Sequence, residues 1–234
     1  MAKGKTLLLT RPAAQSRAFA KDIAARFPDT RTIISPLIGI TFDGTLPDLS
    51  GFDALVFTSA NGVRAFRAAG GETTLPAFCV GPHTTAEARA AGLEARSADG
   101  DVIATSRLLY DSLPEGARVL HICGEHVAGT LAPEGITVQR APLYRQPALP
   151  LTVGAQAALS EGAVDAVLLF SPRSAEILGT ALQQNPHWPR ESLRPLCLSP
   201  NVAGKLQNTG LPAAMIAKAP NRDEMLALIG EFLG

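Results

Sequence analysis

The sequence predicts an α/β protein with two parallel-sheet domains of similar topology, joined by a two-stranded antiparallel linker, the first domain being discontinuous. Along nearly all of its 234 residues, short apolar runs of strand length alternate with stretches of helical periodicity. Apolar strands that each lead into a helix are typical of parallel sheets covered on both faces. An internal repeat, and the order of its pieces, indicate two copies of one unit.

The predicted elements follow the chain as strand and then helix. In the first helix, over about 15–27, Phe19, Ile23 and Phe27 recur at a spacing of four residues, which places them on one face. A short helix is expected directly after the strand at 118–123. The other strands are predicted at 6–10, 53–58, 77–81, 136–145, 164–171, 195–199 and 213–218, and the other well-defined helices over about 60–69, 83–91 and 101–112.

The internal repeat covers two strand-to-helix corners. The stretch FTSANGVRAF at 57–66 is nearly repeated by LFSPRSAEIL at 169–178. In the same way, FCVGP at 78–82 aligns with LCLSP at 196–200. Each stretch begins in an apolar strand and has small or hydroxyl residues at the bend. Two such corners in the same order predict a duplicated unit.

The order of the repeated pieces predicts the domain boundaries. One copy is complete within 44–138, whereas the other has its opening strand and helix in 1–34 and its remainder in 148–234. The chain must then pass between the domains twice, through 35–43 and 139–147. Both stretches are rich in β-forming residues and contain a proline, which suits an edge strand. We therefore expect them to form a β-ladder linker.

The charge balance argues against a polyanionic partner. The chain has 21 basic and 21 acidic residues, so its formal net charge is zero and no nucleic-acid partner is expected. The apolar run near the start, TLLLT, is too short for a secretion signal or a membrane span. These features predict a cytoplasmic protein with no membrane partner. Since no exposed apolar helix stands out, we expect a monomer.

The sequence contains no recognisable cofactor or metal motif. Cys79, Cys123 and Cys197 are far apart inside apolar runs, which favours buried reduced thiols over metal ligands or disulfides. The glycine-rich fingerprints of dinucleotide and phosphate loops are missing, as is the nucleophile elbow of hydrolases. We therefore expect neither a cofactor nor a metal.

Hydroxyl residues and prolines mark the strand-to-helix corners. Ser59 and Ser171 occupy the N-cap position and Pro172 the first helical position, where both residue types suit a helix start. Taken singly, these are simply good helix starts. Taken together, they lie at the carboxyl edge of parallel sheets, where free backbone N–H groups and helix dipoles attract anions. They predict a site for a ligand with several negative groups, in a cleft between the two domains.

A few side chains could exchange protons with such a ligand. Tyr144 lies in the second linker stretch and is the best-placed donor, although packing alone would also explain it. Glu125 and His126 could form an acid–base pair, or Glu125 could merely complement the dipole at a helix start. His121 lies inside a strand and is expected to be packed.

The chain resembles the uroporphyrinogen-III synthase family over essentially its whole length. The order and spacing of short motifs carry this resemblance, together with the split-domain repeat. It implies two small flavodoxin-like α/β domains joined by a two-stranded β-ladder, an active site in the cleft between them, and no cofactor or metal. The motifs, in chain order, are LTRP, SPLI, FTSANGV, VGPHTT, CGE, PLYR, FSPRS and AKAPN.

The resemblance also implies an activity. Members of the family cyclise hydroxymethylbilane, a linear tetrapyrrole with eight carboxylates, to uroporphyrinogen III. Water is lost and ring D is inverted, a step of tetrapyrrole (haem) biosynthesis. The enzyme is thus expected to be a cofactor-independent cyclising hydro-lyase. Hydroxymethylbilane synthase is expected to hand over the substrate.

Site residues are carried over from the family by matching position. Tyr144 matches the linker tyrosine and is expected to assist departure of the substrate hydroxyl. Arg11 matches the arginine of the Thr-Arg-Pro motif and is expected to pair with a carboxylate. Val202 stands where the Gly-x-x-Thr corner has a threonine, a departure that puts its side-chain contact in doubt. The other expected substrate-binding residues are Thr58, Ser59, Ala60, Asn61, Gly81, Thr84, Ser171, Pro172, Ser199, Pro220 and Asn221.

Two other classes of function remain open from the sequence. A non-catalytic bilobed binder of an anionic small molecule, located in the cytoplasm, would use the same corners without chemistry. A two-domain glycosyltransferase would need a longer chain than 234 residues.

Overall fold

The structure, a computed structural model, describes residues 4–127 and 129–234. It divides into two compact units. Unit 1 contains the described residues through Gly39 together with Pro147–Gly234, and unit 2 is Ile40–Gln146. The chain therefore passes from one unit to the other twice, and unit 1 is discontinuous.

Ten strands and eight α-helices form in the described part of the chain. None of the helices in these residues has both the length and the apolar character needed to cross a membrane. The strands are β1 Thr6–Leu9, β2 Arg31–Ile34, β3 Ala54–Phe57, β4 Ala77–Cys79, β5 Ala95–Ser97, β6 Arg118–Gly124, β7 Thr137–Tyr144, β8 Ala166–Leu169, β9 Arg194–Cys197 and β10 Met215–Ile216. The helices are α1 Ala13–Arg26, α2 Ala60–Ala68, α3 Pro82–Ala90, α4 Val102–Ser112, α5 Val153–Ser160, α6 Pro172–Gln184, α7 Pro200–Ala203 and α8 Arg222–Leu233.

Each unit contains one parallel five-stranded sheet. The strand order is β2-β1-β8-β9-β10 in unit 1 and β7-β6-β3-β4-β5 in unit 2, and the paired neighbours run parallel. Counted from β1 in unit 1 and from β6 in unit 2, both orders read 2-1-3-4-5, the flavodoxin-like order. Unit 2 is thus a permuted copy that begins at its third strand. The predicted fold class is confirmed.

Alternate strand residues bury opposite faces of each sheet. In unit 1, Leu8 packs against α5 and α6, whereas Leu7 and Leu9 pack against α1 and α8. In unit 2, Leu55 packs with α2, and Val56 packs on the other face with α4. Burying one such side chain fully contributes about 1.5–3 kcal/mol relative to leaving it exposed. Helices therefore cover both faces, which is why these strands read as continuous apolar runs.

The prediction of a short helix after the strand at 118–123 is wrong. No helix forms in residues 125–127 or 129–136 of the described chain. Gly129, Pro133 and Gly135 lie within seven residues there, and both residue types disfavour a helix interior. Glu125 therefore does not stand at a helix start, and that interpretation of it is also wrong.

The antiparallel linker is shorter than the sequence predicts. Most of the expected second linker stretch, 139–147, belongs to β7, which pairs in parallel with β6. The predicted antiparallel pairing does form, over 37–41 with 145–149: backbone hydrogen bonds join Leu37 with Leu149 and Gly39 with Pro147 in unit 1, and Thr41 with Arg145 in unit 2. The β-forming residues that suggested a linker strand instead complete the edge of a parallel sheet.

The expected buried, reduced cysteines are confirmed. Cys79, Cys123 and Cys197 are free and buried. Burial raises the pKa of Cys79 to about 11 and that of Cys197 to about 12. Both thiols therefore stay protonated at neutral pH, as core residues do.

Gly62 allows α2 to pack directly on β6, and replacing it tests that packing. A Cβ at this position would stand 2.7 Å from the carbonyl oxygen of Ile122. Gly62→Ala must push the helix off the sheet, so we expect the free energy of unfolding to fall by about 1–3 kcal/mol. Urea unfolding measures the change.

Gly154→Ala is the matched control for Gly62→Ala. Gly154 also lies near the start of a helix, but it is exposed and an added Cβ would meet no atom within 4 Å. Here alanine should stabilise the helix by ~0.5–1 kcal/mol. Equal destabilisation by the two substitutions would contradict the close approach of α2 to β6.

Candidate active site

The parallel strands of unit 2 bring several predicted residues to one sheet edge. β3, β4, β6 and β7 end at Phe57, Cys79, Gly124 and Tyr144, and parallel neighbours end at the same edge. The corners that follow β3 and β4 therefore lie on the edge where β7 ends. Residues far apart in the sequence meet here because the sheet is parallel.

A cavity of about 440 Å³ lies at this edge of unit 2. It brings together three of the predicted site residues, Thr58, Ser59 and Tyr144. It also includes His126, which the sequence left open as a proton-exchanging group, and Asp101, which the sequence analysis missed. The other lining residues are Val80, Val102, Val127 and Gly129. A second hollow, of about 470 Å³, contains none of the predicted site residues.

The Tyr144 hydroxyl is held at the start of α2. It lies 2.9 Å from the hydroxyl of Ser59, and either oxygen can be the donor. The Ser59 oxygen also accepts a hydrogen bond of 3.2 Å from the backbone N–H of Gly62, as the predicted N-cap should. Tyr144 itself is only 7% exposed. The helix cap and the phenol are therefore parts of one hydrogen-bonded chain.

Gly124 makes room for the Tyr144 ring. The two residues pair across β6 and β7, just after a register shift between Cys123 and Gly124. A Cβ on Gly124 would stand 2.8 Å from two ring carbons of Tyr144 and 3.2 Å from its hydroxyl oxygen. Only glycine therefore allows the ring to lie against the β6 backbone. Sequence reasoning did not identify this role, although the CGE motif contained the residue.

Thr58 is hydrogen-bonded to a buried histidine. Its hydroxyl oxygen lies 2.9 Å from Nε2 of His121, which is 2% exposed, so the expectation that His121 is packed is confirmed. Burial lowers the pKa of His121 to about 4, and the positive charge of Arg140 acts in the same direction. The imidazole is therefore neutral at neutral pH.

Asp101 contributes a carboxylate to the cavity. One of its oxygens, Oδ1, accepts hydrogen bonds from the backbone N–H groups of Ile103 and Ala104, at 2.9 and 3.0 Å, and so caps α4. The aspartate directly before a helical pattern was the signal available in the sequence. Its charge makes this helix start a poor place for another carboxylate.

Four predicted binding residues of unit 2 are not among the residues that line the cavity: Ala60, Asn61, Gly81 and Thr84. Ala60 and Thr84 are buried, with 9% and 5% of their surfaces exposed. Gly81 is the N-cap of α3, without a side chain to bond.

Two arginines near these corners are paired with carboxylates. Arg64 donates two hydrogen bonds of 2.9 Å to Glu87, which joins α2 to α3, raises the pKa of Arg64 and lowers that of Glu87. Arg145, next to Tyr144, pairs with Asp43. This pairing likewise raises the pKa of Arg145 and lowers that of Asp43. These surface pairs contribute little to stability, but they offset charge beside the cavity.

In unit 1, Arg11 lies free of a carboxylate. Its guanidinium stands 4.5 Å from the centre of the Phe170 ring, and its Nε donates a hydrogen bond of 3.2 Å to Gln15. None of the ion pairs among the described residues includes Arg11. Burial lowers its pKa from the usual value, and the group remains a cation. An unpaired, half-buried arginine is suited to an anionic ligand.

The Ser171 corner of unit 1 reproduces the Ser59 corner of unit 2. The Ser171 oxygen accepts a hydrogen bond of 3.2 Å from the backbone N–H of Ser174, and Pro172 occupies the first helical position, as predicted. No acidic residue lies in the first turn of α6 or of α2. Both helix starts therefore keep their positive ends available to an anion.

The Ser199 corner is a weaker copy of the Gly81 corner. α7 is only four residues long, and the Ser199 side chain makes no capping hydrogen bond. The Val202 side chain is 1% exposed and packs in the core of unit 1. Since the core holds this apolar side chain, it is not available for a substrate contact, in line with the doubt that its departure from threonine raised.

The corner at Pro220 and Asn221 already has negative charge. Asn221 caps α8 by accepting a hydrogen bond of 2.9 Å from the backbone N–H of Glu224. Asp223 and Glu224 lie in the first turn of this helix. Their carboxylates complement the dipole, so this corner is less favourable for an anion than those of α2 and α6.

The comparisons with known proteins agree on one family. A family model described as uroporphyrinogen-III synthase HemD matches residues 20–227. The structure of uroporphyrinogen-III synthetase from Helicobacter pylori is similar, with a TM-score of 0.67 and 18% identity, over 97% of this chain and 99% of that chain. A mutant uroporphyrinogen III synthase from Thermus thermophilus is similar, with a TM-score of 0.53 and 20% identity, over 98% of this chain and 99% of that chain. At these identities the two structures show a shared fold. No curated protein sequence matches the chain.

Gly124→Ala tests how the Tyr144 ring is held. The added methyl group would overlap the ring, so we expect the ring to move and the hydrogen bond to Ser59 to be lost. The measurement is the NMR spectrum of the tyrosine ring carbons. The chain has two tyrosines, and Tyr110, on α4, is the internal control whose signals should stay unchanged. Unshifted Tyr144 signals would contradict the steric account.

Proposed function

The chain belongs to the uroporphyrinogen-III synthase family, and we propose that the cavity beside Tyr144 is where it cyclises hydroxymethylbilane. The family enzyme is a cyclising lyase of tetrapyrrole biosynthesis. The observation that supports this location for the reaction is the hydrogen bond of 2.9 Å between Tyr144 and Ser59, at a cavity wall that also includes Thr58. Family membership does not favour the alternative of a non-catalytic binder.

Tyr144 supplies the proton that the leaving hydroxyl needs. The C–O bond of the hydroxymethyl group breaks while the adjacent pyrrole nitrogen supplies the electron pair, and the proton turns the departing hydroxyl into water. A proton lost when ring D closes the macrocycle balances the one consumed. General acid assistance of this kind contributes typically 10²–10⁴-fold.

The direction of the Ser59–Tyr144 hydrogen bond follows from this role. If Ser59 donates its proton to the Tyr144 oxygen, the phenol O–H remains free to donate to the substrate. Ser59 can do so because its lone pairs still accept the backbone N–H of Gly62. The helix cap therefore aims the phenol proton towards the cavity.

Substrate carboxylates bind at the corners that lack negative charge. The starts of α2 and α6 have no acidic residue in their first turns, and Arg11 has no acidic partner among the described residues. Backbone N–H groups and one arginine can thus hold a polyacid without a cluster of lysines. Fixing a flexible bilane in a curled form contributes up to about 7–11 kcal/mol in well-oriented systems.

The remaining expectations belong to the same proposal. We propose that Ala60, Asn61, Gly81, Thr84, Pro172 and Ser199 contribute backbone or packing contacts around the bound carboxylates. We also propose a cytoplasmic monomer that receives its substrate from hydroxymethylbilane synthase.

Tyr144→Phe tests both the function and the proton donor. Wild-type protein supplied with hydroxymethylbilane should form the type III isomer, whereas the uncatalysed reaction gives type I. Chromatography of the oxidised products separates the two. Because phenylalanine keeps the ring but lacks the proton, we expect turnover to fall on the order of a hundredfold with little change in the unfolding midpoint.

Tyr110→Phe is the matched control, since Tyr110 lies on the exposed surface of α4. Type I product alone from the wild type, at the uncatalysed rate, would reject the function. Unchanged turnover in Tyr144→Phe would remove only the role of Tyr144.

Ser171→Asp tests carboxylate binding at the start of α6. Aspartate caps helices as well as serine does, so the fold should be kept, but its charge repels a carboxylate. We expect KM for hydroxymethylbilane to rise about tenfold, as a like charge beside an anion site costs roughly 1–1.5 kcal/mol. Ser171→Asn, a neutral cap of similar size, is the control. Equal KM values in the two variants would show that no substrate carboxylate binds at this corner.

A further inference from the structure

His121 is a buried titratable group that the proposed mechanism does not use. It lies in β6, between Val56 of β3 and Arg140 of β7. Its Nε2 atom makes the hydrogen bond of 2.9 Å to Thr58. An apolar residue would fill this strand position without the cost of burying an imidazole. The polar side chain therefore calls for an explanation beyond packing.

The histidine is hydrogen-bonded to a residue of the cavity wall, Thr58. Thr58 is part of the wall of the 440 Å³ cavity, together with Ser59 and Tyr144. His121 instead lines an adjacent small hollow of about 100 Å³, which also includes Arg140 and shares Val127 and Gly129 with the larger cavity. His121 is not among the residues that line the larger cavity. The hydrogen bond to the threonine hydroxyl therefore links the imidazole to that wall.

The imidazole can hold the hydroxyl in one of two directions. It is neutral, because burial and Arg140, the one charged side chain that lines the small hollow, both disfavour its cation. A neutral imidazole has one N–H and one lone pair. If Nε2 carries the proton, it donates to Thr58 and leaves the threonine O–H free. If Nε2 is bare, the threonine must donate its only proton to the histidine and can offer a ligand nothing but lone pairs.

We propose that His121 is a positioning residue that donates its Nε2 proton to Thr58, so that the Thr58 hydroxyl donates its own proton into the cavity. This inference rests on the proposed function, because an acidic occupant needs a donor at that wall. A threonine that offered only lone pairs would repel a carboxylate, or it would compete with the leaving oxygen for a proton. The tautomer of a buried histidine thus selects the charge of the ligand that the cavity accepts.

The first test measures the tautomer in the free protein. Long-range ¹⁵N–¹H NMR of histidine-labelled protein distinguishes the two neutral forms, and the His121 signal is assigned by its loss in His121→Gln. We expect the form with the proton on Nε2 at pH 7. The other tautomer would overturn the inference, whatever reaction the protein catalyses.

The second test separates positioning from packing by kinetics. His121→Leu keeps an apolar core but removes the donor, so we expect KM for hydroxymethylbilane to rise about tenfold, the loss of one hydrogen bond to a charged group, with a smaller change in kcat. His121→Gln, whose amide N–H can reach Thr58, should restore most of the wild-type KM. A purely structural role would not be rescued in this way.

A double-mutant cycle shows whether the effect passes through Thr58. Thr58→Val should raise KM to a similar extent, and Thr58→Ser, which keeps the hydroxyl, should raise it less. His121→Leu should add little in the Thr58→Val background. Additive effects of the two substitutions would overturn the inference, as would a wild-type KM in His121→Leu. If the wild type forms only type I product, the proposed function fails, and the tautomer measurement then still decides the direction of the hydrogen bond.

Discussion

Parallel pairing of β3, β6 and β7 is the constraint on which the candidate site depends. Three parallel strands end at one edge, so Thr58 after β3, Gly124 in β6 and Tyr144 in β7 become neighbours although they are far apart in the chain. An antiparallel partner would have carried one of these residues to the opposite edge. The site is therefore a property of the sheet as a whole. Its hydrogen bonds, from the Gly62 N–H through Ser59 to Tyr144, only refine positions that the strand directions have already selected.

Duplication of one unit explains why the two units have similar helix starts. The copies also differ at some of these starts. The Ser59 and Ser171 corners share cap geometry, with both serine oxygens 3.2 Å from the backbone nitrogen three residues later. The neighbouring pair has diverged, since α3 is nine residues long whereas α7 is four and buries Val202. A short helix has a weak N-terminal field, so this corner of unit 1 is a core contact more than an anion site. The Ser59 and Ser171 corners are thus alike in the two units, whereas the Gly81 and Ser199 corners differ.

The cavity of unit 2 relies on hydroxyl groups more than on charge. Thr58, Ser59 and Tyr144 supply three hydroxyls, each held by a neighbour with defined geometry. Each hydroxyl has a single proton, so a neighbour that donates or accepts decides what remains for a ligand. Arg64 and Arg145, close to these corners, are paired with carboxylates, whereas Arg11 in unit 1 lies over the ring of Phe170. Besides these hydroxyls the wall includes the Asp101 carboxylate, so the substrate that we propose must be held there by hydrogen-bond donors rather than by cations.

The sequence by itself determined the fold class, the duplicated topology and the capped helix starts, because strand hydrophobicity, periodicity and N-cap preference are local properties. It also singled out Tyr144, through its place in the second expected linker stretch and then through the family motif. It could not determine that most of 139–147 completes a parallel sheet, since β-forming residues do not reveal the partner strand. Only the tertiary structure decided that Gly124 leaves room for the Tyr144 ring, that His121 is hydrogen-bonded to Thr58, and that Asp101 lines the cavity. Each of these depends on a contact between residues distant in the chain. A local sequence pattern does not specify which distant residues will be in contact.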